Sequence, residues 1–187
     1  AIITKATLSL YAYPKLNRDI PSQNGHSSLT GSNAAILQRI TTPWKESTVT
    51  WNTQPITTSY HQVVLPAAIY DDQDYLNIEV TALVKDMVTY PNHSFGFMLL
   101  QITQQPYRLL VFASSDFHDP TKHPKLVVSY KKNQSKLTSQ KEEERPKGDE
   151  NSASRPSPVY FSTSASFSCK ASPRKFLAII FPSGSIR

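Results

Sequence analysis

The stretch "FASSDFHDPTKHPKLVVSY", Phe112 to Tyr130, brings Asp116, His118, Asp119 and His123 within eight residues, side chains of the types that ligate transition metals. A plainer reading of the same residues is a turn. Asp-Pro marks a chain reversal, Pro124 opens a final strand, and "FASSD" and "PKLVVSY" become two strands joined by a polar loop whose amides Asp116 caps. A second acidic group, Asp71, Asp72 and Asp74 in "YDDQDY", offers the hard carboxylate oxygens that Ca²⁺ prefers. It lacks the twelve-residue loop with a closing Glu, so a structural Ca²⁺ there competes with a simple solvated acidic turn. Catalytic motifs are missing, G-x-S-x-G, H-E-x-x-H and a glycine-rich phosphate loop among them, which leaves cleavage of a glycosidic bond by two carboxylates meeting in space as the catalytic alternative. The expectation is a protein that is not an enzyme.

The elements that must hold these residues are mostly strands. "ATLSLYAY" alternates Ala6, Leu8, Leu10 and Ala12 with Thr7, Ser9, Tyr11 and Tyr13, the period of two of a strand with one buried face. A long polar loop precedes "AAILQRIT". Then "STVTWNTQP", "HQVVLPA", "DYLNIEV", "FGFMLLQI", "YRLLVFAS" and "KLVVSY" continue at all-β intervals. One segment breaks the series. In "TALVKDMVTYP", Leu83, Val84, Met87 and Val88 have helical spacing, with Thr81 as N-cap and Pro91 as stop. The spacing predicts one short helix packed across a sheet.

Charge divides the chain. Nine of the 20 Lys and Arg and nine of the 14 Asp and Glu fall in residues 1–130, so the whole net charge of +6 belongs to the remainder. A neutral folded part argues against a nucleic-acid partner, which needs cations clustered on a folded face. No apolar run approaches the roughly 20 residues of a membrane span, so no membrane insertion is expected. Residues 131–187 are basic and Ser-rich with few aliphatics, and the expectation is disorder, with "FLAIIF" lacking a partner element. The one cysteine, Cys169, lies in this tail, leaving no internal disulfide and no multi-Cys zinc site. Beginning at Ala1 without a basic-then-apolar leader, the chain reads as a mature secreted domain or an excised fragment.

"ATLSLYAY", "RITTPWKESTVTWNTQP", "DDQDYLNIEVTALVKDMV", "FGFML" and "YRLLVFASSDFHDPTKHPKLVVSY", in this order and spacing, resemble the DNRLRE domain, grouped in part as carbohydrate-binding module family ninety-six. The resemblance covers nearly all of residues 1–130. It implies a jelly-roll β-sandwich borne on secreted or surface proteins of bacteria, often beside polysaccharide-degrading enzymes, with alginate bound by some members. The expected architecture is therefore an all-β jelly-roll β-sandwich with one short helix over residues 1–130, followed by a disordered tail over 131–187.

With that frame, the candidate ligand residues are Tyr11, Tyr13, Lys15, Arg18, Arg39 and Arg108. Tyr11 and Tyr13 face away from the Leu8 and Leu10 side. Tyrosine rings beside Lys and Arg suit an acidic polysaccharide, because ammonium and guanidinium groups pair with uronate carboxylates. Trp44 and Trp51 are assigned to core packing and sheet closure, with Glu46 and Thr50 in local hydrogen bonds. The expected function is a non-catalytic module that binds a polysaccharide such as alginate and targets or anchors a larger multidomain protein, secreted or at the cell surface. The rival expectation is a structural or adhesion sandwich without a sugar site. A third reading is a small polysaccharide lyase or hydrolase.

Overall fold

A computed structural model describes residues 2–13 and 25–131, together with the backbone of 177–179. The first strand, β1 (Ile2–Leu10), shows why the alternation was readable: Ala6, Leu8, Leu10 and, just beyond it, Ala12 are all buried. A register shift between Ile3 and Lys5 lets Ile3 join the same face. β1 is flanked antiparallel by β5 (Tyr75–Glu79) and β8 (Lys125–Lys131) in a three-stranded sheet.

The opposing sheet has the order β4-β3-β6-β9, built from β3 (Ala35–Ile40), β4 (Thr57–Leu65), β6 (Phe97–Gln101) and β9 (Leu177–Ile179). A short antiparallel pair, β2 (Ser27–Ser28) with β7 (Arg108–Leu109), closes one end. Between the two sheets lie Leu8 and Leu10 of β1, Leu37 of β3, Leu65 of β4, and Phe97 and Leu99 of β6 in one core. The chain is an all-β jelly-roll sandwich of antiparallel sheets, with a single short α-helix among the described residues.

That helix, α1 (Thr81–Thr89), buries Leu83 and Val84, and Met87 and Val88 pack against the core as their spacing predicted. Its start differs from expectation. Val80 occupies the N-cap position and Thr81 is already helical, because the Thr81 hydroxyl is engaged elsewhere: it accepts from Ala6 N at 2.7 Å and ties the helix to β1. Glu79 Oε1 takes the free Thr81 amide at 3.0 Å instead. Beyond Tyr90, Pro91 opens a 3-10 turn, Pro91–His93.

Two further expectations are corrected. "STVTWNTQP" is a turn followed by a 3-10 segment, Trp51–Thr53, and Thr53 Oγ1 draws the chain round by accepting from Thr50 N at 2.8 Å. In the tail, Leu177–Ile179 does have a partner. It runs antiparallel to β6 with Phe97 opposite Ile179 and Leu99 opposite Leu177. β6 is apolar and carries no charge or proline to protect its edge, so a neighbour on that side satisfies backbone groups that would otherwise stand open. The other residues of 132–187, Cys169 among them, lie outside the described residues.

Candidate functional site

Past the end of β1 the chain stays extended, and its pairing fixes Tyr11 and Tyr13. Ala12 bridges Phe112 antiparallel, Tyr13 N donates to Val111 O at 3.1 Å, and Ala113 N donates to Tyr11 O at 2.9 Å. Two residues apart on an extended chain, the two tyrosines share the face opposite Leu10 and Ala12. Ala12 N donates to Asp74 Oδ1 at 2.8 Å, and the other oxygen of that carboxylate holds Lys122 Nζ at 3.4 Å. The Lys122 ammonium then stands 5.4 Å from the centre of the Tyr11 ring, within cation–π range. Tyr13 meets Phe117 edge to face at 5.2 Å, and Phe117 tilts against His118 at 4.2 Å. The result is a partly exposed row of aromatic rings with an ammonium at one end.

The loop from Ser114 to Pro124 therefore supplies aromatic and cationic groups. Asp119 is the capping residue: its Oδ1 accepts from Thr121 N at 2.9 Å and Thr121 Oγ1 at 2.7 Å at the start of the Pro120–Lys122 turn. Those two hydrogen bonds hold the Asp119 carboxyl below its usual range. The expectation placed this cap on Asp116, whose amide instead takes Ser114 Oγ at 3.2 Å. His123 Nε2 lies 2.7 Å from Phe117 O and pins the loop. Among the described residues, no group of three or more His, Cys, Asp or Glu side chains converges as a metal site would need. That applies to Asp71, Asp72 and Asp74 too. Asp72 is exposed, Asp71 uses its carbonyl to accept His26 N at 2.7 Å, and Asp74 is committed to Ala12 and Lys122.

Of the four cationic residues expected at the ligand, Lys15 and Arg18 lie outside the described residues. The other two make hydrogen bonds within the fold, Arg39 buried and Arg108 half-buried. Arg39 shares the core-facing side of β3 with Ala35 and Leu37 and is only 6% exposed. It donates through Nη1 to His93 O and to Ser94 Oγ at 3.2 Å, with its guanidinium 5.8 Å from the Tyr90 ring centre. It thus locks the segment that leaves α1 against the sheet. Arg108 donates through Nε and Nη2 to Thr30 O, clamping the loop after β2. The clamp is close enough that a Cβ on Gly31, which has φ +125°, would lie 2.5 Å from Arg108 Nη2.

The tryptophans divide. Trp44 closes its loop onto the sheet by donating Nε1 to Phe95 O at 3.0 Å. Neither Trp44 nor Trp51 belongs to the core, which corrects the packing role expected of them: both are half-buried, and the large central aromatic is Phe97.

Behind the aromatic row sits a residue that nothing in the sequence singled out. His26 is 4% exposed, its Nδ1 accepts from Val111 N at 2.9 Å, and its Nε2 lies 2.9 Å from Gln73 O. It joins the segment that pairs with Tyr13 to the turn that carries Asp74. Burial pushes the imidazole pKa below its ordinary value of 6.5, so the ring is held neutral, donating from Nε2.

The model of carbohydrate-binding module family 96 matches residues 3–130. The chain belongs to carbohydrate-binding module family 96. The match runs from β1 to β8 and includes Tyr11, Tyr13, Asp74, Phe117 and Lys122. Family 96 groups non-catalytic modules that bind carbohydrate, so a partly exposed row of rings is a surface of the kind such a domain needs. No curated protein and no solved structure matches the chain. No helix among the described residues is long and apolar enough to cross a membrane.

Proposed function

We propose that this domain binds an acidic polysaccharide such as alginate through Tyr11, Tyr13, Phe117 and Lys122, and so targets or anchors a larger secreted or surface protein. The observation that carries this reading is the Lys122 ammonium poised over the Tyr11 ring, two residues from Tyr13. A pyranose presents an apolar C–H face that packs on an aromatic ring, and a uronate adds a carboxylate for the ammonium. Asp74 keeps Lys122 in place while no ligand is bound.

Magnitudes set the expected behaviour. An exposed ion pair contributes about 0–1 kcal/mol and an aromatic contact about 0.5–1.5 kcal/mol, so one uronate is held weakly. A polymer offers many equivalent units, and useful retention comes from repeated engagement along it.

Affinity gels containing alginate, pectin or a neutral glucan, each run at two salt concentrations, test the proposal. Alginate or pectin should retard the protein, less so at high salt, because exposed charges are screened over about 8 Å at physiological ionic strength. Retardation by the neutral glucan alone would refute the acidic preference. Failure of every glycan to retard the protein would favour a purely structural or adhesive sandwich.

A further inference from the structure

A groove of about 470 Å³ lies between β4 and the start of α1 and shares no residue with the tyrosine row. Val63 and the exposed Ala82 give it apolar surface above the buried Val80 and Leu83, and His61, Glu79 and Lys85 carry its polar groups. Its volume falls in the roughly 300–1,000 Å³ range of small-ligand sites.

The local backbone is unusual. β4 pairs with β3 at Val63 and again at Thr58, with a register shift between the two that bulges the residues in between. Within the bulge His61 has φ +56°, a left-handed conformation that a non-glycine residue adopts only where its surroundings enforce it. The enforcing contact is His61 Nδ1 to Asp86 Oδ2 at 2.9 Å, with Asp86 buried on α1. With Nδ1 committed to the Asp86 carboxylate, Nε2 is the ring nitrogen left to engage a ligand hydroxyl. The exposed Tyr60 ring packs on the imidazole, with centroids 3.8 Å apart. Hydrogen bonds from Thr81 hold the Glu79 carboxyl below its usual range, so it is an acceptor, and Lys85 is a donor.

We infer that this groove is a second saccharide subsite, one that takes a neutral pyranose unit. Val63, Ala82 and the His61 ring, which Tyr60 packs against, suit the C–H face of a sugar ring. The imidazole, carboxylate and ammonium provide hydrogen-bond partners for its hydroxyls. Neutrality follows from the charge balance: the Glu79 carboxylate and the Lys85 ammonium offset each other across the groove, so no net charge draws a uronate to it. The inference rests on the family's carbohydrate-binding character and not on the acidic preference of the tyrosine row.

The test titrates the full chain with cellotetraose and with β-1,4-mannotetraose, followed by amide NMR shifts, alongside alginate affinity gels of the same samples. At least one tetrasaccharide should shift the His61 and Leu83 amides. Glu79→Gln and Lys85→Met should each weaken that binding fivefold or more without altering alginate retardation, and Lys122→Met should do the reverse. Both substituted side chains are exposed, and a glutamine oxygen at position 79 can still accept from Thr81 N, so the fold is kept. The inference is overturned if neither tetrasaccharide shifts these amides, or if Glu79→Gln and Lys85→Met leave the binding unchanged. A chain that binds a tetrasaccharide here but passes alginate gels unretarded supports this subsite and removes only the acidic reading of the tyrosine row.

Discussion

Asp74 holds Lys122 at 3.4 Å with one carboxylate oxygen and the amide of Ala12 at 2.8 Å with the other. A single side chain therefore fixes the backbone between the two tyrosines and the ammonium beside them. Its negative charge also competes with any uronate for Lys122.

Asp74→Asn separates these two roles. The amide oxygen can still accept from Ala12 N, so stability should change by less than about 1 kcal/mol, the usual worth of an exposed ion pair. Without the competing charge, alginate retention should rise by a few fold. Asp74→Ala leaves the partly buried Ala12 amide unpaired and should cost about 1–3 kcal/mol in urea denaturation.

His26 makes stability depend on pH. Its folded-state pKa lies below the ordinary 6.5, so the unfolded chain binds a proton first as pH falls. The contribution is fully present above about pH 6.5 and is lost progressively on going down through the lowered folded value. Urea midpoints at pH 7.5 and 5.5 should differ more for the wild-type chain than for His26→Gln. Equal pH dependence in the two would remove the buried neutral histidine from the account.

Phe97→Ala should cost about 3–5 kcal/mol, because it removes a fully buried ring between the sheets. Trp51→Ala should cost clearly less, because the indole is half-buried outside the core. Chemical denaturation of both variants orders them, and a larger loss for Trp51→Ala would contradict the packing described above.

Ala178→Pro probes the pairing of β9 with β6. Proline removes a strand donor and restricts φ, so the variant should lose about 1–3 kcal/mol, the net worth of a few backbone hydrogen bonds. With the edge of apolar β6 laid open, it should also self-associate with rising concentration in sedimentation experiments. A monomeric variant of unchanged stability would show that β9 adds nothing to the sheet.

The sandwich was legible where side chains repeat locally. Ala6, Leu8, Leu10 and Ala12 mark β1, and Leu83, Val84, Met87 and Val88 mark α1, because strand and helix periods are set within a few residues. Of the proposed surface, only Tyr11 and Tyr13 were named from the sequence. Lys122 and Phe117 reach them through pairing between distant segments, and the Asp74 bond to Ala12 spans 62 residues. Arg39 was ambiguous because its charge pointed to solvent while its strand position pointed inward. The carbonyl that accepts from it lies 54 residues away, in the turn after α1, and no local pattern links the two segments. His26 and the pairing of Leu177–Ile179 with β6 escaped for the same reason.

The central claim is that Tyr11, Tyr13, Phe117 and Lys122 form the surface that holds an acidic polysaccharide. Titrating the isotope-labelled chain with a defined alginate hexasaccharide and mapping the shifted resonances tests it most directly. The account predicts that shifts centre on these four residues and are largely lost in Lys122→Met. Shifts confined to another face, or an unperturbed spectrum at millimolar hexasaccharide, would contradict it.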